Sequence, residues 1–174
     1  IAITELTVPG TVKTIGNSAF ASCDNVLELT LEEGIQTIGS SAFKNCQSLA
    51  EVVIPASVKS IESNAFRDCV SLTKVVIGDE NAQRELTAIS ADAFRGCTAL
   101  ETLTIGNGVT SIGFEAFAGC SQLKSLTFLS ATPAVLGDNV FVGLPDDYVF
   151  YVPEEAVQTY KAAWPAHTDH IQGL

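Results

Sequence analysis

The chain has 174 residues, of which 47% are hydrophobic and 17% charged, so it can bury a core as one domain or one short repeat array, and it is neither a disordered chain nor a two-domain enzyme. A net charge of −11 repels phosphate backbones and anionic lipid, which argues against nucleic-acid and membrane-surface partners. No run of 18 apolar residues offers a membrane span, and no secretory leader opens the chain, which starts at "IAITELTVPG", contains no Met, and is expected to be a piece of a longer protein.

The first predicted element is a short strand with Leu6 and Val8 inward. A second apolar pair, Val12 and Ile15, follows, and then the phrase "NSAFASC", Asn17 to Cys23. All three parts return along the chain. The inward strand columns read Leu6, Leu29, Val52, Val75, Leu103, Leu126 and Val8, Leu31, Ile54, Ile77, Ile105, Phe128. The second pair returns as Ile35 and Ile38, Val58 and Ile61, Leu86 and Ile89, and Val109 and Ile112. Phe stands at 20, 43, 66, 94 and 117, and Cys three residues later at 23, 46, 69, 97 and 120. Self-similarity at a step of 23 residues with an L-x-x-L-x-I start marks a leucine-rich solenoid. Its fold class is an α/β repeat: short parallel strands and short helical turns wound into a right-handed superhelix. The Ser, Asn or Asp before each Ala-Phe is read as an N-cap opening one helical turn.

One rung is irregular, since Ile77 and Ile89 stand twelve residues apart where Ile54 and Ile61 stand seven apart. The five extra residues fall within 78–86, "GDENAQREL", a polar loop expected to leave the stack. It is either a tolerated surface insertion or a binding loop carrying Asp79, Glu80 and Arg84. Toward the C-terminus Phe141 keeps the Phe column and Leu144 takes the place of the cysteine. "YVFYV" is predicted as a last strand with Phe150 and Val152 inward. "PEEAVQTYKAAW" is predicted as a capping helix that starts at Pro153 and two acids and buries Ala156, Val157, Tyr160 and Trp164. Residues 1–144 are thus read as an array of about six rungs, and 145–174 as a final strand and helical cap. Ile3, Leu6 and Val8 are already in register, so the array is expected to continue upstream or to be covered there by association.

The columns C-x-x-L-x-x-[LV]-x-[IL] and I-[GE]-x-x-A-F-x-x-C, with the ending "ATPAVLGDNVFVGLPDDYVFYVPEEAVQTYKAAWP", resemble BspA-like bacterial leucine-rich repeats along essentially the whole chain. The resemblance implies a secreted or surface-anchored protein, with a signal or lipoprotein anchor upstream. It also implies adhesion to host extracellular matrix or to other bacteria. The family motif is a scaffold motif, and no binding residue comes with it.

The chemistry-bearing residues give little sign of catalysis. A Cys ladder suggests metal or redox work, but one Cys per loop lacks the clustering of metal ligands, and Leu144 fills the same column, so the cysteines are read as buried packing. "HTDH", with His167 and His170, invites zinc but lies in what reads as a C-terminal tail. Glu32 and Glu33, Asp146 and Asp147, and Glu154 and Glu155 are read as solvated turn or helix-start charges. Phosphate loops, nucleophile elbows and HExxH are missing. The expectation is therefore no catalytic residue, no metal, no cofactor and no enzyme activity. What remains is surface. The outward strand column Thr30, Val53, Val76, Thr104 and Thr127, flanked by Glu28, Glu51 and Lys74, is either β-propensity alone or a partner-binding face, acidic toward the N-terminal rungs. The expected function is an interaction module for protein or glycan. Its alternatives are a structural spacer of a larger surface protein and a carbohydrate-binding module.

Overall fold

The structure is a computed structural model describing residues 3–78 and 85–174. In chain order its elements are β1 (Glu5–Val8), β2 (Thr14–Ile15), β3 (Glu28–Leu31), β4 (Thr37–Ile38), β5 (Glu51–Ile54), β6 (Ser60–Ile61), β7 (Lys74–Ile77), β8 (Ala88–Ile89), β9 (Thr102–Ile105), β10 (Ser111–Ile112), β11 (Ser125–Phe128), β12 (Val135–Leu136), β13 (Val149–Val152), α1 (Val157–Ala163) and β14 (Ile171–Gly173). The chain alternates between two all-parallel sheets. The first runs β1-β3-β5-β7-β9-β11-β13-β14, the second β2-β4-β6-β8-β10-β12. This is the parallel solenoid expected from the repeat, about seven turns long.

Period-two alternation builds the first sheet: in β9, Leu103 and Ile105 are buried while Thr102 and Thr104 face outward. The second sheet needs only two residues per rung, one inward Ile and one small outward residue. The insertion disturbs neither side, because Ile77 still pairs with Ile105 and Ile61 with Ile89.

The third side of each rung corrects the N-cap reading. Ser18, Ser41, Asn64, Asp92, Glu115 and Asn139 have φ between 51° and 62°, a left-handed backbone rather than the extended one an N-cap adopts. A second left-handed column follows four residues on, at Ser22, Asn45, Asp68, Gly96, Gly119 and Gly143. Such a backbone costs an ordinary L-residue roughly 1–2 kcal/mol and is cheapest for Gly, Asn and Asp. Its return is a third ladder between rungs. Three alternate N–H groups of each rung donate to three alternate carbonyls of the next: Ser18 to Ser40 at 2.9 Å, Phe20 to Ala42 at 2.8 Å, and Ser22 to Lys44 at 2.7 Å. The pattern recurs at every junction, through Glu115 to Asp138, Phe117 to Val140 and Gly119 to Val142.

Inside, the Phe column stacks like a pile of plates. Centroids from Phe20 through Phe43, Phe66, Phe94 and Phe117 to Phe141 are 5.1–5.9 Å apart, with ring planes within 14°. Rungs about 4.8 Å apart impose that spacing. Glu32 and Glu33 are not simply solvated. Glu32 accepts from the Gly10 N–H of the rung before, and Glu33 from the Ala56 and Ser57 N–H groups of the rung after, so the pair ties adjacent turns together.

At the C-terminus, β13 carries Phe150 and Val152 inward as predicted, and α1 with its preceding 3-10 turn buries Ala156, Tyr160 and Trp164. β13 is not the last strand, however. A 3-10 segment, Pro165–His170, leads into β14, which pairs with β13. The "HTDH" residues therefore belong to the folded cap, not to a tail.

Candidate functional site

The outward residues of the first sheet form two columns. In one, Glu5 faces Glu28, Glu28 faces Glu51, Glu51 faces Lys74, and Thr102, Ser125 and Val149 continue the row. In the other, Thr7 faces Thr30, and Val53, Val76, Thr104, Thr127 and Tyr151 follow. Every named residue of the predicted face is thus brought to one surface. Val53 is 58% exposed and Thr30 is exposed, whereas Val76, Thr104 and Thr127 are half-buried, so the face opens toward its N-terminal end.

The carboxylates there are poorly neutralised. Lys74 Nζ lies 3.8 Å from Glu51, between two exposed groups, a pair that contributes little. Among the described residues Glu5 and Glu28 have no ion-pair partner. Stacked charges about 5 Å apart repel by about 1 kcal/mol per pair even in water. The arginines of the third side cannot help, because they are already paired. Arg67 reaches Asn64, Asp68 and Asp92 at 3.1, 3.3 and 3.8 Å, and Arg95 reaches Asp92 at 3.1 Å and also Glu115.

The same end of the face holds an open depression of about 420 Å³ of mixed character, lined by Leu27, Leu29, Ala50 and Val53 together with Glu28, Thr30 and Glu51. It lies where strand pairing narrows: β3 and β5 are in register only at Glu28 and Glu51. At the β1–β3 and β7–β9 junctions the residue past the strand donates across, Glu32 to Val8 and Gly106 to Ile77, but Pro55 has no N–H to give. Leu27, 49% exposed, was not among the predicted residues. Its signal was available, since Ala50, Thr73, Glu101 and Lys124 fill the same register position. Asp79, Glu80 and Arg84, the candidate loop, lie outside the described residues.

The cysteines are all free. Cys46, Cys69, Cys97 and Cys120 are buried, and each sulfur lies 3.2–3.4 Å from the carbonyl of the Phe in the rung before, Phe20, Phe43, Phe66 and Phe94. The column is therefore more than apolar filling; its thiols donate weak hydrogen bonds between rungs. Burial raises the Cys97 thiol well above its ordinary range and pushes Cys120 up to about 12, which disfavours the nucleophilic thiolate. His167 and His170 converge on a tyrosine. His167 Nδ1 is 2.7 Å from the Tyr148 hydroxyl, His170 Nδ1 is 2.9 Å from the Tyr148 carbonyl, and the His170 and Tyr148 rings stack at 3.9 Å. Among the described residues no three His, Cys, Asp or Glu are grouped to hold a metal ion.

A family profile described as the BspA type leucine rich repeat region, present in six copies, matches residues 1–85 and 79–154. Among solved structures, the pneumococcal vaccine antigen PcpA superposes with a TM-score of 0.75 at 22% identity, over 98% of this chain and 40% of that protein. The leucine-rich repeat protein TpLRR of T. pallidum superposes with a TM-score of 0.62 at 20% identity, over 92% of this chain and 83% of that one. At such identities these likenesses speak for the fold. The chain spans less than half the length of the pneumococcal antigen. No curated protein matches the sequence.

Proposed function

The chain belongs to the BspA-type leucine-rich repeat family, and from that premise we propose that it is a non-catalytic interaction module of a cell-surface protein, adhesive in role. Its partner is a protein with a basic, partly apolar patch. The observation that carries this reading is the N-terminal part of the first sheet's outer face. There Glu5, Glu28 and Glu51 stack without adequate neutralisation, and Glu28 and Glu51 border a depression floored by Leu27 and Val53. Repulsion within such a column is relieved by a cationic partner, and complementary charge speeds encounter. The exposed apolar residues supply the desolvated centre that binding energy requires. That PcpA, of the same fold, is a vaccine antigen supports a surface location.

The test is binding of the whole chain to a panel of immobilised extracellular-matrix proteins, with Leu27→Lys, Glu28→Lys and Val53→Lys combined in one variant. All three residues are exposed, so the unfolding midpoint should hold while binding falls at least about tenfold. Equal binding by the variant removes this face from consideration. Binding by neither protein favours the spacer, and binding to a glycan array alone favours the carbohydrate reading.

A further inference from the structure

The two ends of the second sheet and third side are not equivalent. At the sixth rung the third side ends with Asn139, Phe141 and Gly143, whose N–H groups hold the register positions of Glu115, Phe117 and Gly119, the donors of the junction before. Among the described residues these three N–H groups have no acceptor. Beside them the Leu136 carbonyl, the register equivalent of Ile112, whose oxygen accepts from Gly137 at 2.8 Å, has no donor among the described residues. The neighbouring carbonyl is treated differently. Ala134 accepts from the Trp164 indole N–H at 3.0 Å, so a cap side chain stands in for the missing rung there and stops short of the rest. Unpaired backbone groups of this kind are a template for another chain.

These groups border two open depressions, about 220 and 390 Å³. Leu136 and His167 line both, Phe141 and Val142 the smaller, and Val135 and Trp164 the larger. Val135 and Val142 are 73% and 53% exposed. A full rung of a second copy does not fit. Beyond this rung the first sheet continues through β13 and β14, and α1 packs over them, so that side is already occupied. What fits is a single segment folded into the left-handed turns of a rung's third side.

We propose that this edge docks a peptide segment of a partner protein, folded into the turns of a rung's third side and presenting alternate carbonyls to the Asn139, Phe141 and Gly143 N–H groups and an N–H to the Leu136 carbonyl. Its apolar side chains lie against Val135, Phe141 and Val142. Exposed Asp138, between the lining residues Gly137 and Asn139, and a net charge of −11 select a peptide carrying basic residues. The site is separate from the acidic sheet face and does not depend on that face binding anything.

The probe is a synthetic peptide copying residues 36–46 with Cys46→Ser, whose Ser40, Ala42 and Lys44 carbonyls are the ones a rung offers its neighbour. Added to the isotopically labelled whole chain, it should slow amide exchange at Asn139, Phe141 and Gly143 by on the order of tenfold at saturation, leaving the outer face of the first sheet unchanged. Ala166→Trp, placed at an exposed position that lines the larger depression, should abolish that protection without lowering the unfolding midpoint. Three results overturn the proposal. They are no saturable binding, protection elsewhere with these amides unaffected, or concentration-dependent self-association that protects the same amides without peptide, which would make the occupant a second copy.

Discussion

The first rung and the fourth carry nearly the same phrase, "NSAFASC" and "ADAFRGC", yet they are different environments. Phe94 is fully buried, stacked on Phe66 at 5.2 Å and Phe117 at 5.3 Å, and Cys97 beneath it donates to the Phe66 carbonyl. Phe20 stacks on Phe43 alone, and Leu6, Phe20 and Cys23 remain half-buried around an open depression of about 350 Å³. Burial here belongs to the neighbours rather than to the residue, as it must where each unit is completed only by the next. Substitution in the two rungs sharpens that contrast most. Phe94→Ala, between two stacked rings, should cost about 3–5 kcal/mol in urea unfolding, as a large core cavity does. Phe20→Ala should cost less than half as much. Equal losses would mean that the array does not derive its stability from stacking.

The cysteines repeat the comparison at lower amplitude. Cys97→Ala removes a small buried side chain and one S–H donor, a loss of roughly 1–2 kcal/mol, and Cys23→Ala should be near neutral. Thiol labelling of the native protein reads the same difference kinetically. Cys23, half-buried, should react first, and the four interior thiols only as the chain opens. Rapid labelling of several interior thiols would reopen the case for a reactive ladder.

How far the sequence could be read follows from the same physics. Inward strand columns are legible because period-two alternation recurs rung after rung, so each inward position is repeated in five other rungs. The left-handed turn is not, because Ser, Asn and Asp favour N-caps and left-handed positions alike. The deciding signal stood four residues further on, where Ser22, Asn45 and Asp68 give way to Gly96, Gly119 and Gly143, a substitution that an N-cap has no reason to invite. β14 was missed because "IQG" offers one apolar residue and no period. The outward columns of the candidate face came directly from the alternation. Leu27 was overlooked because it lies one residue before the strand, and the depression around it depends on Pro55, a residue of the next rung.

The smallest expected effect lies at the capped end. His167 sits half-buried against Phe141, Phe150 and Tyr148, and burial first, then the neighbouring His170, lower its pKa from the ordinary 6.5. The folded chain therefore binds a proton at this site less readily than the unfolded chain. In the window just below 6.5 the unfolded state carries more protons, so this contribution to stability is complete above that pH and declines as the pH falls. The unfolding midpoint should drop between about pH 7.5 and pH 5.5, where most carboxylates are still ionised, and His167→Gln, which can still meet the Tyr148 hydroxyl, should flatten the drop. If wild type and variant fall in parallel, the acid sensitivity comes from elsewhere in the chain. A cap held partly by a neutral imidazole would then have to be given up in favour of one held by Tyr160 and Trp164, whose hydroxyl and indole donate to Ser130 and Ala134 whatever the pH in this range.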